Sequence, residues 1–280
     1  MTVLFGRQVI LQVGTLDLSD LDVGFKIERA TLRAPSVAEI RIYNLAPGTR
    51  AQVEQGGTTI LHAGYEDPPM IFRGDSRYVW TEPDGPVDFV TVIQARDGGR
   101  AYSEARISRS YNPGTPVLQV VRDTIETMGI GRGNLDEFSA AYALRNGSDT
   151  FADGYVAHGR ASRILNDLLR AAGLRWSVQA NNLQIQRGGQ PLQTRAVVLS
   201  PDSGLLDSPT WNDVGRRTSG RRGVVTAKAL IQPGLDPGRR VRIESRLITG
   251  DFECRKISYA GETFGEEWSA TMELRPLTGT

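Results

Sequence analysis

The sequence predicts a mainly β protein with a smaller α/β domain in its middle, and three observations carry that expectation. Near the C-terminus, Val241 and Ile243 alternate with Arg240, Arg242 and Glu244. A period of two sends apolar side chains to one face of a strand and charges to the other. The same alternation recurs from the start of the chain to about residue 106. Between residues 107 and 195 the spacing changes to three and four, the signature of amphipathic helices. The expected divisions are therefore 1–106, 107–195 and 196–280.

Residues 3–13 read as a first strand, and residues 27–32 and 38–43 alternate in the same way. The run Asn44-Leu45-Ala46-Pro47-Gly48 breaks the pattern. Pro47 suits the first turn of a short helix through residues 49–54, where its missing N–H costs nothing. Three further strands follow at residues 58–65, 70–81 and 87–95, with turns at Asp67-Pro68-Pro69 and Asp84-Gly85-Pro86.

In the middle section Thr115-Pro116 reads as a helix start, with the threonine hydroxyl as cap. Leu118, Val121, Ile125 and Met128 then recur at helical spacing until Gly129. Residues 131–154 are polar and glycine-rich, and no period assigns them. A second helix is marked by one apolar stripe, Ala161, Ile164, Leu165, Leu168, Leu169 and Ala172, ended by Gly173. Next, Leu174, Trp176 and Val178 alternate with polar residues, and Asn181-Asn182 can turn the chain into Leu183 and Ile185. The middle domain is thus a helix packed on a hairpin, with Trp176, Leu165 and Leu168 as expected core.

Residues 197–199 suit a strand, and residues 209–223 are polar, with Arg216, Arg217, Arg221 and Arg222 on a loop containing Gly and Ser. The chain then closes with four strand-length runs at 224–230, 240–245, 252–259 and 267–274, read as an antiparallel meander. Pro233-Gly234 and Asp236-Pro237-Gly238 place a fixed φ beside a permissive one, as reversals require. Phe252, Tyr259 and Trp268 are the expected core of this stretch. Its last three runs are similar in length to residues 58–65, 70–81 and 87–95, which suggests one β module present twice.

Composition narrows the chemistry. An apolar content of 39%, a charged content of 23% and a formal net charge of +1 suit a soluble globular protein and exclude a polyelectrolyte. Of the 33 basic residues only Lys26, Lys228 and Lys256 are lysine. That bias fits a GC-rich coding genome, or arginines that serve interfaces through their planar fork. The single cysteine, Cys254, excludes an intrachain disulfide and a thiolate metal cage. The N-terminus lacks the pattern of a signal peptide, and no window reaches the roughly 18 apolar residues of a membrane span. A soluble protein made in a reducing compartment is expected.

No catalytic motif stands out. His62 and His158 are the only histidines and lie far apart, without zinc spacing. There is no nucleophile elbow and no phosphate loop. Asp75, Glu82 and Asp97 lie on or beside strands; a glycosidase would need two such groups facing one cleft, whereas surface acids need none. The four arginines of the 209–223 loop suit contact with an acidic partner or nucleic acid, or a solvated loop. No cofactor and no metal are expected.

The order of these signals resembles one family. Ile40-Arg41-Ile42-Tyr43-Asn44-Leu45 followed by a short helix, Ala63-Gly64-Tyr65, Ile71-Phe72-Arg73-Gly74-Asp75 and Ala95-Arg96-Asp97-Gly98-Gly99-Arg100-Ala101 resemble the opening β domain of baseplate hub proteins of tailed bacteriophages. These hubs are related to the spike and hub proteins of contractile injection systems. Gly159-Arg160-Ala161 through Leu168-Leu169, Gly173-Leu174-Arg175-Trp176-Ser177-Val178, and Leu199-Ser200-Pro201-Asp202-Ser203-Gly204-Leu205 resemble later parts of the same family.

The resemblance implies two β-barrel-like modules, 1–106 and 196–280, flanking the middle domain. It implies a non-enzymatic, homotrimeric ring in the virion's tail baseplate, made in the host cytoplasm without a membrane anchor. Six modules per ring would match a sixfold tail tube to a threefold central spike around the tail channel. The implied partners are the tail tube protein, the central spike, the tape measure protein and other baseplate proteins, with DNA passing through. Because the chain ends soon after its last strand and carries no hydrolase signature, a separate spike and lysin are expected. The alternative is a carbohydrate-binding or glycoside-hydrolysing phage-tail β protein.

Overall fold

The structure is a computed structural model that describes residues 5–31, 36–97, 104–179, 181–187, 191–192, 196–212 and 223–277. The protein is mainly β. It divides into two compact units, one of Met1–Thr31, Ser36–Arg96 and Gln190–Thr280, the other of Leu32–Pro35 and Asp97–Gly189.

In chain order, the first unit contributes β1 (Arg7–Val13), β2 (Leu16–Asp17), β3 (Val23–Ala30), β4 (Val37–Tyr43), helix α1 (Pro47–Glu54), β5 (Thr58–Tyr65), β6 (Met70–Pro83) and β7 (Phe89–Arg96). The second unit holds β8 (Arg106–Tyr111), β9 (Thr115–Pro116), α2 (Val117–Met128), α3 (Phe138–Asn146), β10 (Thr150–Phe151), β11 (Tyr155–Arg160), α4 (Ala161–Ala171), β12 (Leu174–Gln179) and β13 (Asn182–Arg187). The chain returns to the first unit with β14 (Val197–Leu199), β15 (Thr210–Asn212), β16 (Val224–Ala229), β17 (Arg240–Glu244), β18 (Thr249–Glu262) and β19 (Trp268–Pro276).

The first unit is one large sheet, ordered β15-β16-β19-β18-β3-β4-β7-β6-β5-β1-β2, with β17 pairing β18 and β14 at its side. This hydrogen-bonded order is open at both ends, so no closed barrel forms among the described residues. Alternation explains which face of each strand is buried: Ile27, Ile40, Ile42, Ile93, Ile257 and Met272 are fully covered in one core, while Lys26, Glu28, Glu39 and Arg41 lie outside it.

Two parts of this sheet share a connectivity. Strands β5, β6 and β7 follow one another as hairpins, and β4 lies beside β7; strands β17, β18 and β19 do the same, and β16 lies beside β19. In each, the strand that precedes a three-strand meander lies beside the meander's last strand, a Greek-key order. The likeness extends to irregularities. Along β6–β7 the pairs Asp75↔Arg96 and Ser76↔Ala95 precede a register shift before Tyr78. Along β18–β19 the pairs Glu253↔Arg275 and Cys254↔Leu274 precede one before Lys256. A bulge sits at the same place in both, one pair beyond an acid opposite an arginine.

The closing stretch therefore departs from a plain meander, because β16 pairs with β19 and not with β17. The cause lies in residues 230–239, which do not form a tight hairpin turn. Ile231 and Leu235 are buried, Leu235 offers its carbonyl to the Tyr259 hydroxyl, and Asp236 pairs with the buried Arg29 at 2.8 Å. The N–H of Gly238 donates to the Cys254 carbonyl at 2.7 Å. Pinned at these points, the segment crosses over the core, and β17 is delivered to the far side of β18.

The second unit packs α2, α3 and α4 with the two-stranded pairs β8–β11, β9–β10 and β12–β13. Here the cap differs from expectation. Helix α2 starts at Val117 with Pro116 as its N-cap residue and no side-chain cap; the Thr115 hydroxyl instead donates to the Asn112 carbonyl at 2.7 Å. Residues 131–154, left unassigned by periodicity, hold α3, whose Phe138 and Ala141 are one helical turn apart and both buried.

One group in this unit gives a pH prediction. The Tyr111 hydroxyl donates to Asp123 at 2.9 Å, and burial, followed by the carboxylate of Asp123, pushes its phenol up to about 12. An unfolded tyrosine ionises near ~10. The folded form thus holds its proton longer, so its contribution to stability is complete below pH ~10 and is lost as pH rises towards about 12. Urea midpoints measured across that interval should fall less steeply for Tyr111→Phe than for the parent; equal slopes would refute the assignment.

Candidate functional site

The side chains most open to chemistry are tied to separate structural tasks. His62 meets the Pro68 carbonyl at 3.1 Å, and His158 meets Ser108 at 3.3 Å. Asp75 lies 3.5 Å from the Thr58 hydroxyl, Glu82 accepts from the Trp80 indole at 3.0 Å, and the buried Asp97 accepts the Asn181 N–H at 3.2 Å. Among the described residues no three His, Cys, Asp or Glu side chains gather as a metal cluster. Cys254 is fully buried, and that burial raises its thiol pKa well above the ordinary range, so it rests as a protonated, inert group.

A groove of about 330 Å³ crosses the outer face of β3, β4 and β18, lined by Lys26, Glu39, Arg41, Tyr43, Glu262 and Glu267 among others. Its charges largely answer one another or near neighbours: Arg41 meets Glu39 at 3.3 Å and Lys228 meets Glu267 at 3.7 Å. Burial, then the nearby Glu262, raises the Tyr43 phenol. Mixed charge of this kind favours a solvated sheet face over a site for one sign of ligand.

The residues singled out from the sequence fall into place as follows. Trp268 is buried at the start of β19, edge-on to Phe25 of β3 at 5.8 Å and to Tyr65 of β5 at 6.2 Å. The Arg7 guanidinium of β1 lies 5.3 Å from its ring centre. Since β19 and β1 stand far apart in the strand order, this cluster shows the sheet curling over its own core. Gly261 makes room for it, because a Cβ there would sit 2.5 Å from the Phe25 ring and 2.9 Å from the indole. Phe252 is buried beside Trp211, at 6.4 Å between rings. Trp176, Leu165 and Leu168 share the core of the second unit. Arg216, Arg217, Arg221 and Arg222 lie outside the described residues.

Two features of the first unit escaped the sequence reading. One is Trp211, 53% exposed on the terminal strand β15; a lone tryptophan in a polar stretch was its only signal. The other is the second half of β6. Beyond the bulge, Tyr78 to Pro83 pair with β7 on one side, and β5 covers the other side only from Met70 to Asp75. Among the described residues, no strand pairs that edge after Ser76.

With this geometry in view, the fold is that of phage tail proteins. No family model matches the chain, and no curated protein matches it in sequence. Among solved structures, the 43 kDa tail protein of prophage MuSo2 from Shewanella oneidensis is similar with a TM-score of 0.67 and 10% identity, covering 97% of this chain and 98% of that one. A tail protein from Neisseria meningitidis MC58 is similar at a TM-score of 0.62 and 10% identity, over 97% of both chains. An E. coli protein, c3393, described as a type VI secretion component similar to the T4 tail proteins gp27 and gp5, is similar at 0.52 and 12% identity, over 95% of this chain and 76% of that one.

Proposed function

We propose that this chain is a structural baseplate hub of a phage tail. Three copies form a ring around the tail channel and adapt the sixfold tail tube to the threefold central spike. The observation that carries this reading is the repeated strand order within one chain, β4-β7-β6-β5 and β16-β19-β18-β17. Two similar modules per chain give a trimer six similar surfaces, which a threefold arrangement of single modules could not offer to a sixfold tube. On this reading 1–106 and 196–280 are barrel-like modules completed in the ring, and 107–195 is the domain between them. Likeness over nearly full length to several tail proteins supports a structural role in the virion tail.

The test is the particle itself. Light scattering and negative-stain images of the purified chain are expected to give threefold rings, and incubation with peptidoglycan or polysaccharide to release nothing. A monodisperse monomer that releases sugar would overturn the reading in favour of a carbohydrate-active protein. Addition of tail tube protein and of spike protein should yield complexes on opposite faces of the ring.

A further inference from the structure

The repeat within the sheet makes one strand edge stand out. In the second module β18 uses one side for β19 throughout, while its other side serves β17 before the bulge and β3 after it. In the first module β6 uses one side for β7 and the other for β5 before the bulge. After the bulge, where β18 receives β3, β6 has no strand partner among the described residues. The two modules thus differ by one missing strand.

The missing strand has a counterpart in the same chain. Strand β3 pairs with β4, and β15 pairs with β16 in the same way, so β15 stands to the second module as β3 stands to the first. Beyond β15 no further strand pairs the sheet among the described residues. The registers align residue by residue. Ile27 lies opposite Ala38, which lies opposite Ala95; Trp211 lies opposite Val225, which lies opposite Leu274. Ala95 and Leu274 occupy equivalent places directly before the two bulges, so Trp211 is the counterpart of Ile27. Yet Ile27 is fully buried, while Trp211 is 53% exposed and Tyr78 on the open edge of β6 is 67% exposed.

We propose that β15 of one copy pairs antiparallel with the open half of β6 in a second copy of this chain, continuing the sheet from copy to copy. Ile27 faces Tyr259 on β18, and Thr81 is the β6 equivalent of Tyr259, since the two face Thr91 and Ala270 in matching registers. The register that results sets Trp211 opposite Thr81, Thr210 opposite Glu82 and Asn212 opposite Trp80. Pairing in this register covers Trp211 as β18 covers Ile27, and it satisfies backbone groups that otherwise form an open edge. The two surfaces differ, so the contact is head-to-tail and closes into a ring when the rotation allows. The inference rests on the ring reading above and adds to it the strands and register that join the copies.

The test uses the full chain carrying Thr210→Cys and Glu82→Cys, since the native Cys254 is buried and stays out of reach. Cα atoms of paired strands lie within disulfide range. Oxidation should give disulfide-linked dimers and trimers on a non-reducing gel, while Thr210→Cys with Trp80→Cys, out of register, should give several-fold less. Trp211→Glu should weaken self-association about tenfold or more with an unchanged circular dichroism spectrum, because that side chain is already half exposed in the single chain. If the parent chain assembles but no in-register link forms and Trp211→Glu assembles normally, the pairing is wrong and the ring reading survives. If the parent chain stays monomeric at every concentration, both fail.

Discussion

Trp268→Ala should lower the unfolding free energy by about 3 to 5 kcal/mol. The indole is 3% exposed, and its removal leaves a void that the curled sheet cannot easily fill. Two edge-on aromatic contacts, at 5.8 and 6.2 Å, each add about 0.5–1.5 kcal/mol beyond area burial. The Arg7 contact adds about 0.5–1 kcal/mol. Trp268→Phe should cost clearly less, since it retains one ring in the cluster. Urea denaturation followed by circular dichroism measures both, and a loss below about 1 kcal/mol for the alanine variant would show that this cluster does not hold the sheet closed.

Asp236→Ala is the second large effect, at about 3 kcal/mol. Arg29 is 5% exposed and meets the Asp236 carboxylate at 2.8 Å, and it donates a further hydrogen bond to the Ile71 carbonyl at 3.3 Å. Breaking a largely buried ion pair by removing one member costs more than the pair itself contributes. The double replacement Arg29→Met with Asp236→Asn should therefore recover most of the loss. Denaturation midpoints of the two single variants and the double variant form a cycle that decides this. If the double variant is as unstable as Asp236→Ala, the cost comes from loosening residues 230–239 and not from the broken ion pair.

What the sequence made legible follows from what periodicity encodes. The stripe from Ala161 to Ala172 and the alternation of Leu174, Trp176 and Val178 are local patterns, and α4 and β12 appear where those patterns lie. Strand β5 has the expected bounds, Thr58–Tyr65. Alternation specifies which face of a strand is buried but not which strand is its neighbour. Hence β16 was assigned to β17 when it lies beside β19, and nothing in the spacing announced that β3 joins β18. Thr115 misled because a hydroxyl before proline suits a cap and also a turn, and here Asn112 takes its hydrogen bond. The candidate interface was hidden for a related reason: an open edge is a property of pairing, and Trp211 looks ordinary until its counterpart Ile27 is found buried.

The pairing of β3 with β18, from Ala30↔Lys256 to Gly24↔Glu262, also has a consequence for synthesis. Strand β3 leaves the ribosome long before its partner β18, because β4 to β17 are made between them. Until then one side of β3 is an unpaired edge that can template wrong contacts with other nascent chains. The contact joins segments far apart in the sequence, so forming it carries a large loop-closure entropy and slows folding. The interval between the emergence of β3 and that of β18 is thus when the chain is most exposed to aggregation. Faster translation of the intervening residues, or a chaperone that shields extended segments, should raise the yield of folded protein.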